Sequence, residues 1–101
     1  MLIFNTTYQV DNNDAREFVI FVHEQFMPAT HQQGDMKNGR LLRILSHKDP
    51  DSECFAVQFE VEDTAALHHW HIQLGQSLEK DIEKMFNGRV VGFSTIMEVI
   101  E

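Results

Sequence analysis

Apolar and polar residues alternate over two stretches of the chain, and this alternation predicts two half-buried β-strands. In residues 2–10 the even positions are mostly apolar and the odd positions mostly polar. In residues 54–62 the odd positions are phenylalanine or valine, and the even ones begin with Cys54, Ala56 and Gln58. Two further strands are predicted at 40–47, where half of the residues are apolar, and at 89–100, where most are. The turn-forming sequence 48–52 should join the second and third strands in a hairpin.

Apolar residues at helical spacing predict two helices between these strands. The first should run from about Asp14 to Met27, where we expect Pro28 to end or kink it. The second should begin at the cap-forming pair Asp63 and Thr64 and continue to residue 86. The Asn-Gly pair that follows is a common helix end.

The predicted order is therefore β-α-β-β-α-β over a single domain, residues 1–101. This is the α+β, ferredoxin-like split βαβ arrangement, with a four-stranded antiparallel sheet and both helices on one face. Right-handed crossovers place the first and third strands in the centre.

The opposite face of the sheet has no helix to cover it. On the two central strands this bare face should carry the odd residues from 3 to 9 and the even residues from 54 to 60. From the last strand we expect Val90, Ser94, Ile96, Glu98 and Ile100. The apolar part would form a large exposed patch, so we expect a second copy to pack on it as a homodimer of the dimeric α/β-barrel type.

Polar residues on this face allow two interpretations. They could bind a small molecule between the sheets, or they could form a hydrogen-bonded seal across the dimer. The candidate ligand-binding residues are Asn5, Thr7, Arg43, Gln58 and, on the second helix, Trp70. Trp70 is also a natural core or interface aromatic.

Composition and charge limit the classes of partner that the protein can bind. The chain has 101 residues, 43% of them hydrophobic, and a formal charge of −8. This charge disfavours nucleic acids and anionic membranes, and no apolar run is long enough to span a bilayer. Cys54 is the only cysteine, so no internal disulfide can form, and we expect a cytoplasmic protein with a structural role for this thiol.

Catalytic and cofactor motifs are absent from the sequence. There is no phosphate-binding glycine loop, nucleophile elbow or paired catalytic carboxylate, so we predict no cofactor and name no catalytic residue. His68 and His71 lie one helical turn apart and could chelate a metal as a sensor. No third ligand has matching spacing, and we expect no metal site.

Several short motifs in order resemble a family of short bacterial proteins known as domain of unknown function 4286. The fragments are Ile3-Phe4-Asn5 with Thr7, Pro28 and Gly34, Arg40-x-x-Arg43-x-Leu45-Ser46, Phe55-Ala56-Val57-Gln58-Phe59, Phe86-x-Gly88 and Phe93-x-Thr95-x-x-Glu98-Val99. The resemblance implies a dimeric ferredoxin-like fold and no established activity. The family tends to have histidine where this chain has Phe26 and arginine where it has Ser94.

A looser resemblance is to antibiotic-biosynthesis-type monooxygenases and haem-degrading enzymes, which share the dimeric barrel. It implies an alternative function, an oxygenase or isomerase with a pocket near Asn5, Thr7, Gln58 and Trp70. The haem enzymes have a histidine ten residues after the tryptophan, where this chain has Lys80. That difference argues against haem degradation, and a shared fold does not transfer chemistry.

Overall fold

Four antiparallel strands form one sheet in the computed structural model, which describes residues 1–101. They are β1 (Leu2–Asp11), β2 (Met36–Arg43), β3 (Ser52–Val61) and β4 (Val90–Glu98). Their order across the sheet is β2-β3-β1-β4, so β1 and β3 are central as predicted. One long helix follows β1 and another follows β3. The predicted β-α-β-β-α-β order and ferredoxin-like fold are therefore confirmed.

Each helix is continuous but contains one π-helical turn. Helix α1 consists of Ala15–Phe21, the π-helical turn Val22–Phe26, and Met27–Gln33; helix α2 consists of Thr64–Trp70, the π-helical turn His71–Gly75, and Gln76–Phe86. The start of α2 is capped as predicted, because the Asp63 carboxylate accepts a hydrogen bond of 2.8 Å from the Ala66 amide.

Helix α1 does not end at Pro28, contrary to our expectation. Met27 keeps helical angles, and the helix continues to Gln33 before Gly34 ends it with a φ of +100°. The π-helical turn explains the tolerance, since the Met27 amide bonds to the Val22 carbonyl five residues back. Pro28 thus falls in the first turn of a new α-helical segment, where its missing amide costs little.

Aromatic side chains fill the layer between the helices and the sheet. The buried set includes the phenylalanines of both helices and of β3, together with Tyr8 of β1. Trp70 packs on Phe4 and Phe26 with ring centroids 5.8 and 6.2 Å away. Gly75 lies against the same indole, because a Cβ at this position would lie 2.6 Å from a ring carbon of Trp70. The second π-helical turn therefore fits around the tryptophan.

Strand β2 contains a bulge that sets which of its residues face the helices. Lys37 pairs with Glu60 and Arg40 pairs with Gln58, so two residues of β2 lie opposite Phe59 alone. Asn38, in this bulge, has a positive φ of 54°. The strand ends at Arg43, four residues before the end that we predicted.

Neither helix of the fold is long and apolar enough to cross a membrane.

Candidate functional site

The strand register defines the bare face, the sheet surface opposite the helices. Asn5 pairs with Gln58 on one side and with Thr95 on the other. Thr7 pairs with Ala56 and with Phe93. Because paired residues point to the same side of a sheet, these side chains share the bare face. The structure thus brings together three of the predicted site residues, Asn5, Thr7 and Gln58.

The contribution of β4 to this face was predicted wrongly. The register places the odd residues Val91, Phe93, Thr95 and Met97 on the bare face. The expected even residues that lie within β4 point to the helix side, where the Ser94 hydroxyl lies 2.9 Å from that of Thr6, and Ile100 lies beyond the end of the strand. The run 90–100 is apolar at both odd and even positions, so periodicity could not distinguish its two faces.

The corrected face is strongly apolar along its β4 edge. Val91 and Phe93 are each 65% exposed, and Met97 is 40% exposed. On the opposite edge Leu42 of β2 lies on the same face, since it pairs with Ala56. Apolar side chains therefore flank a polar centre on a surface that no element of the chain covers.

Asn5 lies at that polar centre with an unusual hydrogen-bonding state. Its amide Nδ2 donates to the Thr7 hydroxyl over 3.1 Å. Its carbonyl oxygen Oδ1 is buried and has no hydrogen-bond partner, and the residue is only 9% exposed. Leaving such an acceptor unpaired costs about 1–3 kcal/mol, and buried polar groups in folded proteins are nearly always paired.

Arg43 does not join this cluster. It pairs with Phe55, whose side chain points to the helices, and its guanidinium lies 5.4 Å from the centre of that ring. The same guanidinium donates to the Glu53 carboxylate over 2.9 Å. Arg40 occupies the corresponding position on the bare face beside Gln58. Sequence reasoning missed Arg40 because the bulge at 38–39 shifts the alternation of β2.

Trp70 also lies on the helix side, where it is 2% exposed. Its indole N–H donates to the Thr30 hydroxyl across 3.3 Å in the core. An open cleft of about 350 Å³ reaches one side of the ring; its lining includes His68, His71, Ser94 and Ile96. The sheet separates this cleft from Asn5 and Gln58, so one chain does not form the predicted pocket that combines them with Trp70.

Metal-binding groups are sparse. No group of three or more histidine, cysteine, aspartate or glutamate side chains is close enough to hold a metal ion. His68 and His71 share the cleft beside Trp70 without a third ligand.

The two positions at which this chain differs from the family tendency have structural roles. Phe26 is 2% exposed and stacks on Phe59 with ring centroids 6.1 Å apart. Ser94 forms its hydrogen bond with Thr6 between adjacent strands. Neither side chain lies on the bare face.

Solved structures with the same fold cover the whole chain at low sequence identity. A candidate antibiotic biosynthesis monooxygenase from Deinococcus radiodurans has a TM-score of 0.77 and 20% identity, covering 100% of this chain and 94% of its own. A dimeric ferredoxin-like protein from an uncultured marine organism has a TM-score of 0.76 and 12% identity, with coverages of 99% and 95%. A protein described as an ethyl tert-butyl ether d (ethd) family protein, from Bacillus halodurans, has a TM-score of 0.66 and 13% identity, with coverages of 99% and 100%. These similarities establish the fold alone.

No curated protein sequence matches the chain significantly. The family model described as domain of unknown function, DUF4286, matches residues 1–100. This match confirms the resemblance found from the motifs. The chain belongs to the DUF4286 family.

Proposed function

We propose that the protein is a homodimeric binding module in which the bare faces of two sheets enclose a small molecule. The observation that carries the proposal is the unpartnered Oδ1 of Asn5 at the polar centre of the bare face. This oxygen is buried in the isolated chain, so a ligand must displace neighbouring side chains to reach it. A group that donates a hydrogen bond to this oxygen removes an energetic penalty of the isolated chain. A second copy that covers the face removes its apolar side chains from water.

A general rule and a structural similarity support the dimer. A two-fold axis is the common way to cover one self-complementary surface in a homo-oligomer. Similar structures include proteins described as dimeric ferredoxin-like, and we extend that assembly to this chain as part of the proposal. The free thiol of Cys54 fits a location in the reducing cytoplasm, which the proposal includes.

The chemistry of the face indicates the class of ligand. Because Thr7 already receives the amide hydrogen of Asn5, the free group of Asn5 is an acceptor, and the ligand must present an N–H or O–H donor. Phe93 and Met97 suit an apolar body next to that donor. We therefore propose a small, mostly apolar molecule with a hydroxyl or amine group.

The structure favours a binding function over the alternative function as an oxygenase. The fold similarity to monooxygenases carries no chemistry by itself. The pocket implied by that alternative needs Trp70 beside Asn5 and Gln58, and the sheet lies between them.

The test uses two probes of similar size, of which only one carries a hydrogen-bond donor. Phenol and anisole have the same ring, but anisole carries a methyl group in place of the hydroxyl hydrogen. We expect saturation-transfer NMR to give tighter binding of phenol by about two- to tenfold, the contribution of one hydrogen bond. Asn5→Leu should remove that preference. Gln73→Leu, a substitution on the exposed surface of α2, should retain it.

Two results would distinguish a failure of the ligand site from a failure of the homodimer. Equal binding of the two probes by a dimeric wild type would refute the ligand site and leave the dimer. A protein that is monomeric at micromolar concentration in sedimentation experiments would refute both.

A further inference from the structure

A cysteine–histidine pair lies at the end of the sheet where the β2–β3 hairpin turns. The Cys54 sulfur is 3.3 Å from Nδ1 of His47. The two residues are seven positions apart in the sequence, and the turn at 48–51 folds one back towards the other. Sequence motifs did not associate them, because no known cysteine-enzyme signature has this spacing.

Neighbouring hydrogen bonds fix the direction of every proton in this cluster. The Asp49 carboxylate only accepts, so the Ser52 hydroxyl donates to it over 2.8 Å. The Ser52 oxygen is therefore left as an acceptor, and it receives the Gln9 amide over 3.1 Å. Nε2 of His47 lies 2.8 Å from the same oxygen and must donate to it.

A neutral imidazole that donates from Nε2 has a lone pair on Nδ1. That lone pair is the group facing the Cys54 thiol, which consequently donates its hydrogen to His47. The result is a directed chain from the thiol through His47 and Ser52 to the Asp49 carboxylate. It has the arrangement of a nucleophile, a general base and a group that orients the base.

An open cleft of about 510 Å³ gives access to this pair. Its lining includes His47, Cys54, Asn12 from the turn after β1, and Pro50 from the hairpin. The charged groups of its lining are Glu53 and Arg43, which form an ion pair of 2.9 Å. The Asp49 carboxylate lies next to the lining residue Ser52. Cys54 lies on the bare face, four positions along β3 from Gln58, so the cleft opens at the hairpin end of that face and not at its centre.

We propose that Cys54 is a nucleophilic thiol that His47 activates towards α,β-unsaturated carbonyl compounds. The Cys54 sulfur forms a bond to the β-carbon while its proton passes to Nδ1 of His47. The electron pair of the carbon–carbon double bond moves to give an enolate. The imidazolium then returns the proton to the α-carbon. The net reaction adds S–H across the double bond, with no oxidant or reductant.

The state of the resting thiol is consistent with activation by a base. Burial and the nearby charge of Asp49 raise the pKa of the Cys54 thiol above its ordinary value. The thiol is therefore protonated at neutral pH, and its reactivity depends on a base that takes the proton during attack.

The test measures the rate at which acrylamide, an uncharged probe of this class, alkylates the protein. Because Cys54 is the only cysteine, intact mass spectrometry counts one reaction site. We expect His47→Gln to lower the second-order rate constant at pH 7 at least tenfold, since a positioned general base usually contributes about a hundredfold or more. His23→Gln, an exposed histidine on α1, is the matched control and should react like the wild type.

The dependence of the alkylation rate on pH distinguishes a base from a purely structural residue. If His47 had only a structural role, its replacement would not change the shape of this profile. In the wild type the rate should rise at a lower pH than ionisation of the thiol alone allows, because His47 takes the thiol proton during the attack. In His47→Gln it should rise only when the thiol itself ionises. Ser52→Ala, a smaller change that keeps the base but removes its orienting acceptor, should lower the rate severalfold.

The proposal is overturned if the rate constants of wild type and His47→Gln differ by less than tenfold at pH 7. It is also overturned if the wild-type profile has only the thiol ionisation. The wild-type profile needs no variant, so a His47→Gln protein that fails to fold would not remove the test. Circular dichroism checks the fold of each variant.

Discussion

Phe93 is the residue whose loss should affect self-association most directly. It lies on β4 beside Thr7 on the bare face, and it is 65% exposed in one chain. Burial of this exposed part of the phenylalanine side chain stabilises the dimer by about 2 kcal/mol more than burial of an alanine would. A two-fold axis places one Phe93 from each copy in the interface, so Phe93→Ala should weaken the free energy of dimerisation by about 4 kcal/mol. Its dissociation constant should rise about a thousandfold.

Sedimentation equilibrium over a dilution series measures this change. Ile72→Ala is the control, because Ile72 is 54% exposed on α2, away from the bare face. We expect Ile72→Ala to associate like the wild type, and both variants to keep the circular dichroism of the folded chain. If Phe93→Ala dimerises as tightly as the wild type, or if Ile72→Ala is equally weakened, the bare face is not the interface.

Three further predictions concern the stability of the fold. Gly75→Ala should lower the melting temperature in calorimetry, since its Cβ would clash with Trp70 at a cost of about 1–3 kcal/mol; an unchanged temperature contradicts this packing. Thr30→Val should lower the urea midpoint by leaving the buried Trp70 N–H unpaired, again by about 1–3 kcal/mol, and a midpoint equal to that of the wild type argues against the bond. Hydrogen bonds from Arg89 lower the pKa of Asp14, so the stability that this pair adds is present at neutral pH and lost as the pH falls through that lowered pKa. Urea midpoints of wild type and Asp14→Asn should therefore differ at pH 7 and converge in strong acid; a constant difference contradicts the assignment.

The architecture could be predicted because each central strand has one predominantly apolar face. In β3 the four buried residues 55, 57, 59 and 61 alternate with polar or small ones, which fixed the side that faces the helices. The cap at Asp63 fixed the start of α2 equally well. These signals are local, and tertiary contacts reinforced them.

The remaining features depend on contacts that a pattern does not contain. The orientation of β4 follows from its register with β1, since its sequence is apolar on both faces. The side on which Arg43 and Arg40 lie follows from a bulge of two residues. The continuation of α1 past Pro28 follows from a π-helical turn, which ordinary helical spacing does not reveal.

The candidate site was partly predictable for the same reason. Asn5, Thr7 and Gln58 lie on central strands with clear alternation, and they do share a face. The missing partner of Asn5 Oδ1 could be recognised only from the structure. The pairing of His47 with Cys54 depends on the shape of the hairpin turn, which residue types alone do not determine.

The most direct test of the central claim is an isotope-filtered NOE experiment on a mixture of labelled and unlabelled protein. It detects only contacts between different copies of the chain. We expect intermolecular NOEs that connect Phe93, Val91 and Met97 to bare-face residues of the second copy. Intermolecular NOEs confined to the helices, or none at concentrations where the protein is fully folded, would show that no second copy covers this face.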